Sequence, residues 1–171
     1  IIKKNSIQKE LLLNDDYRLQ DLDRKSNRIF CPLNEKNTFK LNKSFRELTK
    51  NKIEELKVIN TKGRSFKITN FYDGITRFKF NALCDVNLGS EDYINIAEVC
   101  NHIFIEDIPF FNDYNSNQQL RFVTLIDIFY EKKIILTLST VTELSILGSS
   151  KKHFEVFKRT LSRLHEMTKI N

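Results

Sequence analysis

His102-Ile103-Phe104-Ile105-Glu106, and further along Lys133-Ile134-Ile135-Leu136-Thr137-Leu138, bracket the stretch whose reading decides the fold. Each is a short, near-continuous apolar run, the pattern of a strand covered on both faces. Between them, Ser116 to Glu131 places Phe122, Leu125, Ile126 and Phe129 on one face at helical spacing. Strand, helix, strand in that order is a βαβ unit, whose two strands run parallel. Burying those four side chains contributes on the order of 6 to 12 kcal/mol before the entropy of ordering is subtracted.

Working outward, Lys152 to Met167 forms a last helix with Phe154, Phe157, Leu161 and Leu164 on one face. Ser90 has the character of an N-cap, and Glu91 and Asp92 follow at the positive end of a helix that runs to about Val99. Upstream, Leu56 to Ile59 and Ser65 to Ile68 alternate around Asn60-Thr61-Lys62-Gly63, a hairpin signature. Arg77 to Phe80 adds a third alternating strand after the Asp73-Gly74 turn, and the three read as a small antiparallel sheet set apart from the rest. Thr38 to Lys52 predicts an amphipathic helix with Phe39, Leu41, Phe45, Leu48 and Ile53 near helical spacing. Ile29 to Leu33 is extended, since Pro32 biases Cys31 away from helix. Ile7 to Leu13 reads as a short buried strand leading into Asp16-Tyr17-Arg18. The expected class is α/β: a partial parallel sheet with flanking helices, its βαβ unit at about 102–139 and an antiparallel β insertion at about 56–80. The subregions run 1–35 (strand and connection), 36–80 (helix plus antiparallel β) and 81–171 (α/β).

The 171 residues, 40% of them hydrophobic and 14 of them Phe, suffice for one ordinary domain or a fraction of a larger one. Cys31, Cys84 and Cys100 are odd in number and without a Cys-x-x-Cys pair, so buried thiols in a reducing cytosol are expected rather than disulfides or a metal site. No run of about 18 apolar residues predicts a transmembrane segment. The net charge of +6 is uneven: residues 1–80 hold 19 Lys/Arg against 10 Asp/Glu, and residues 81–171 hold 9 against 12. A basic half suits nucleic acid or an anionic surface. Its charges, however, are spread singly through Lys36, Lys40, Lys43, Arg46, Lys50 and Lys52, which favours a solvated helix face with no nucleic acid.

Phosphate chemistry needs a Gly-rich loop and a Lys. None of Gly63, Gly74, Gly89 and Gly148 stands in a G-x-x-x-x-G-K-[ST] pattern. Ile103-Phe104-Ile105-Glu106-Asp107 looks like an apolar strand ending in metal-holding acids, but such ends are common at sheet edges. No Gly-x-Ser-x-Gly elbow frames a serine. Arg159 and Arg163 share a helix face four residues apart, a repulsion of about 0.2 to 0.5 kcal/mol that something anionic must answer. Glu155 and Glu166 are the expected partners within the chain, with a phosphate or a neighbouring subunit's carboxylate as the alternative. Arg121, at the border of its helix's apolar face, either snorkels to solvent or reaches across the sheet.

Seven motifs then stand in one order: Asp16-Tyr17-Arg18; Gly63-Arg64; Phe78-x-Phe80-x-x-Leu83-Cys84; Leu88-Gly89-x-x-Asp92-Tyr93; Asp107-x-Pro109; Arg121-Phe122-x-x-Leu125-Ile126-Asp127-x-x-Tyr130; and Arg159-Thr160-x-Ser162-Arg163-Leu164-x-Glu166-Met167. Over nearly its whole length the chain resembles the C-terminal half of the ZapE-type ATPases, the AAA-related P-loop family that includes the lactation-elevated type. Leu120 departs from the family, which usually carries a further Arg before Arg121.

The resemblance implies a partial P-loop-type fold, with ATP and Mg handled upstream in the full-length family and no cofactor, metal or catalytic residue in this chain. It implies a role for Arg159, Arg163 or Arg121 as sensor or inter-subunit arginines. The implied partners are the P-loop half, in cis or in trans, a division or quality-control protein, and further copies in a homo-oligomer. The implied location is cytoplasmic. A stand-alone interaction module and a nucleic-acid-binding fragment are the other readings.

Overall fold

A computed structural model describes residues 27–170. The strand expected at Ile7 to Leu13 and the Asp16-Tyr17-Arg18 motif lie outside the described residues. The elements are β1 (Ile29–Phe30), α1 (Glu35–Thr49), β2 (Glu55–Thr61), β3 (Arg64–Tyr72), β4 (Ile75–Lys79), α2 (Phe80–Cys84), α3 (Ser90–Val99), β5 (His102–Ile108), α4 (Ser116–Glu131), β6 (Ile135–Thr140) and α5 (Phe154–Met167).

All six strands form one sheet in the order β1-β6-β5-β4-β3-β2. Strands β1, β6, β5 and β4 are mutually parallel, while β4, β3 and β2 are antiparallel. The expected α/β class and βαβ unit hold, with β5-α4-β6 as its two strands and crossover. One expectation is corrected: the third alternating strand does not belong to a separate sheet, because β4 pairs in parallel with β5 from Ile75↔His102 to Lys79↔Glu106. Arg77 and Lys79 lend β4 the look of an edge strand, yet acidic side chains on β5 neutralise both.

Alternation along β5 splits the core between two faces. Ile103 and Ile105 face the main core with Leu136, Leu138 and the apolar sides of α3, α4 and α5. Phe122, Leu125, Ile126 and Phe129 are all fully buried there, as their spacing predicts. Four rings bind the elements of this face together: Phe111 lies 5.7 Å from Phe80, 5.6 Å from Phe122 and 5.2 Å from Phe157. Phe104 points to the opposite face, where Leu41 and Phe45 of α1 pack on it and on Ile75.

Helix α1 begins three residues before its expected start because Asn34 caps it, accepting the Asn37 N–H at 2.8 Å. Only Leu41, Phe45 and Thr49, spaced by four, are buried on it. Phe39 and Leu48 are exposed, and Ile53 lies beyond the helix at 83% exposure. Ser90 is the first residue of α3 rather than its cap: Gly89 takes that position, and the Asp92 carboxylate accepts the Gly89 N–H at 2.9 Å. Phe154 is exposed, so α5 buries a narrower face than its spacing suggests.

Both hairpin turns are two residues long with positive φ throughout, 45° and 80° at Lys62-Gly63 and 49° and 84° at Asp73-Gly74. That backbone matches the twist of the flanking strands.

Candidate functional site

The motif residues gather in three polar clusters. The first joins α4 to α5. Asp127 faces Arg159 and Arg163 across the helix pair: Arg159 Nη2 donates to Asp127 Oδ2 at 3.0 Å, and Arg163 Nη1 donates to Asp127 Oδ1. One carboxylate therefore relieves both guanidinium groups. The partners expected from sequence are corrected, since Glu155 pairs with Lys158 at 2.9 Å and Glu166 accepts the Tyr130 hydroxyl at 2.9 Å. Helical neighbours were the visible choice, whereas Asp127 becomes a partner only once α4 and α5 pack. Arg163 also stacks 4.7 Å over the Tyr130 ring, and Glu166 raises the Tyr130 phenol's pKa. The Arg163 side chain is 21% exposed and that of Arg159 is 55% exposed. Ser162, between them, donates to the Lys158 carbonyl at 3.3 Å.

The second cluster clamps the β2-β3 hairpin to the N-terminus of α3. Gly63 places Arg64 at the start of β3, where its guanidinium donates to the Asn87 carbonyl at 2.7 Å and to Asp92 Oδ2 at 3.0 Å. The Asp92 side chain is only 4% exposed, and its charge sits at the positive end of α3. Next to it, the Tyr93 hydroxyl donates to the Leu83 carbonyl at 2.8 Å, and Arg121 reaches the Cys84 carbonyl at 3.2 Å. Burial pushes up the pKa of Tyr93 and of the Cys84 thiol. Burial likewise pushes the Cys100 thiol up to about 12. Neither Cys84 nor Cys100 is therefore a thiolate nucleophile.

The third cluster lies at the carboxyl ends of the parallel strands, the edge at which open α/β sheets bind ligands. Sequence reading found the acids here but not their partners. Arg77 Nε donates to Glu106 Oε1 at 2.5 Å, and its Nη2 donates to Asn42 of α1 at 2.8 Å. Lys79 Nζ lies 3.2 Å from Glu106 Oε2 and 2.6 Å from Asp107 Oδ2. Asp107 raises the Lys79 pKa most strongly, while burial opposes the rise. Asp107 has φ of +60°, at a register shift in β5, and its N–H donates to Ser139 Oγ at 2.9 Å. Pro109 follows directly after the strand. Both acids of the metal-binding look-alike are thus engaged by cations of β4. Among the described residues, no group of three or more His, Cys, Asp or Glu is placed to hold a metal ion.

Fold and clusters together define an α/β domain with a largely parallel sheet, helices on both faces and arginine-carboxylate locks between helix and helix, strand and helix, and strand and strand. A family profile for AFG1-like ATPases matches residues 12–171, and the chain belongs to that family. It is 27% identical over 153 residues to Cell division protein ZapE from Escherichia coli K12, covering 89% of this chain and 40% of that protein. It is 32% identical over 96 residues to Lactation elevated protein 1 homolog B from Danio rerio, covering 55% of this chain and 19% of that protein. The chain thus spans less than half the length of either curated relative. No solved structure matches it significantly.

Proposed function

We propose that this chain is the C-terminal α/β module of a ZapE/AFG1-type ATPase, which contributes to ATP turnover in the whole protein and does not hydrolyse ATP without a phosphate-binding half. The observation that carries this reading is the use made of the motif residues. Arg64, Asp92, Tyr93, Arg121, Asp127, Arg163 and Glu166 all serve contacts within the chain that lock helices to sheet or to one another. None of the four glycines stands in a phosphate-loop pattern. ATP and Mg are accordingly assigned to the P-loop half, supplied in cis or in trans.

Within the module, Arg159 is the residue best suited to meet an anion from outside. It gives one nitrogen to Asp127 and is more than half exposed, whereas Arg163 is held between Asp127 and Tyr130. We assign Arg159 the role of sensing a phosphate or a neighbouring subunit, and Arg163 the role of positioning it through their shared carboxylate. A link to cell division or protein quality control, a homo-oligomeric assembly and a cytoplasmic location belong to the same proposal. No helix among the described residues is long and apolar enough to cross a membrane.

The test is turnover by the complete ATPase carrying the equivalent of Arg159→Ala. A drop of about tenfold or more in kcat with an unchanged melting temperature supports the role. Unchanged kcat removes Arg159 from it.

A further inference from the structure

The basic residues that are scattered singly along the sequence from Lys36 to Lys50 come together once α1 is formed. At about 100° per residue, Lys36, Phe39, Lys40, Lys43, Arg46 and Lys50 fall within an arc of about 120° on the side opposite Leu41 and Phe45. All six are exposed, and Phe39 is 62% exposed. From Lys36 to Lys50 the ridge runs for roughly 21 Å along the helix. Glu47 is the acid within the arc, and its contact with Lys43, 3.8 Å long, is the one ion pair any of the five cations makes among the described residues.

We infer that this ridge of α1 is a docking surface for single-stranded nucleic acid. Charge complementarity selects a polyanion, and the composition of the ridge selects which kind. Four of its five cations are Lys, a residue depleted at protein interfaces and common at phosphates. Insertion into a membrane is disfavoured, because the helix has its apolar stripe committed to Phe104 and Ile75 and offers only Phe39 on the ridge, the other exposed apolar side chain, Leu48, lying outside the arc. Packing against another domain would strip water from five cations that make a single ion pair among the described residues. An exposed ring flanked by cations one turn away on either side is instead the arrangement that stacks a base while its phosphates are neutralised. The inference stands apart from ATP turnover, so it can fail or hold independently of that role.

The experiment is fluorescence anisotropy of the 171-residue chain with a labelled thymidine or uridine single strand of about 20 nucleotides. Duplex DNA, polyglutamate and phosphatidylserine vesicles serve as competitors. With four phosphate contacts at about 0.7 each, log affinity should fall against log salt with a slope near −3, weakening binding roughly fiftyfold between 50 and 200 mM. Converting Lys36, Lys40, Lys43 and Lys50 together to Gln should weaken binding at 50 mM by at least about tenfold and bring the slope to about −1 or shallower. Phe39→Ala should weaken the single strand by about tenfold and the duplex far less. Circular dichroism of both variants should match the parent, since every altered side chain is exposed. Absence of binding at 50 mM, a four-Lys variant that binds like the parent, or stronger competition from duplex, polyglutamate or vesicles than from unlabelled single strand overturns the proposal. A preference between the thymidine and uridine strands identifies DNA or RNA as the source of the ligand.

Discussion

The carboxylate of Asp127 on α4 accepts a hydrogen bond from Arg163 of α5 through one oxygen and from Arg159 through the other. Two like charges one turn apart on α5 thereby become a fork that fixes the helix against its neighbour. The pairing is partly exposed, so its worth is that of a charge-assisted surface contact rather than a buried ion pair.

Replacing Asp127 with Asn should cost about 1 to 2 kcal/mol, seen as a fall of several degrees in the melting temperature. A double-mutant cycle between Asp127 and Arg163 should show coupling of about 0.5 kcal/mol or more. The same cycle between Glu155 and Arg159 should show none. Coupling confined to the second pair would mean that the helical neighbours, and not the packed helices, hold the arginines.

Glu106 and Asp107 should respond differently to loss of charge. Glu106 is buried and answers both Arg77 and Lys79, so Glu106→Gln should destabilise the fold by about 2 to 3 kcal/mol. Asp107 is half exposed, and Asp107→Asn should cost less than about 1 kcal/mol. Urea unfolding of the two variants checks the order, and equal losses would contradict it.

The same strands show how far the sequence could be read. The βαβ unit, α3, α5 and the first hairpin were legible because apolar spacing and turn residues are local signals. The sheet to which β4 belongs was not, because Arg77 and Lys79 look solvent-facing until β5 brings Glu106 and Asp107 beside them. The partner of Arg159 and Arg163 was hidden for the same reason, since Asp127 lies more than thirty positions away in sequence. The motif residues themselves were all visible, but their spacing did not reveal that they serve as locks.

The two hairpin glycines make a paired prediction. Both have φ near +80°, but a Cβ on Gly74 would sit 2.7 Å from the Asn101 side chain, whereas one on Gly63 would meet nothing within 4 Å. Gly63→Ala should cost about 1 kcal/mol from backbone strain alone. Gly74→Ala should cost about 1 kcal/mol more, because Asn101 must move. Thermal melts of the two variants give the comparison.

His102 should make the fold sensitive to mild acid. Burial, with a smaller contribution from Arg28, lowers its pKa from 6.5 to about 4, and its Nε2 lies 2.8 Å from the Thr137 hydroxyl. The unfolded chain then binds the proton first, so this residue's contribution is full above pH 6.5 and is lost as pH falls from about 6.5 to about 4. The loss is on the order of 3 kcal/mol. His102→Gln should flatten the stability profile across that window, and a profile identical to the parent's would show that another group sets it.

The most direct measurement of the central claim is steady-state phosphate release by the purified 171-residue chain with saturating ATP and Mg. If the motif residues serve as locks and the phosphate site lies in another segment, release stays at the level of buffer. ATP turnover that rises in proportion to the chain and disappears with Arg159→Ala or Arg163→Ala would contradict the account.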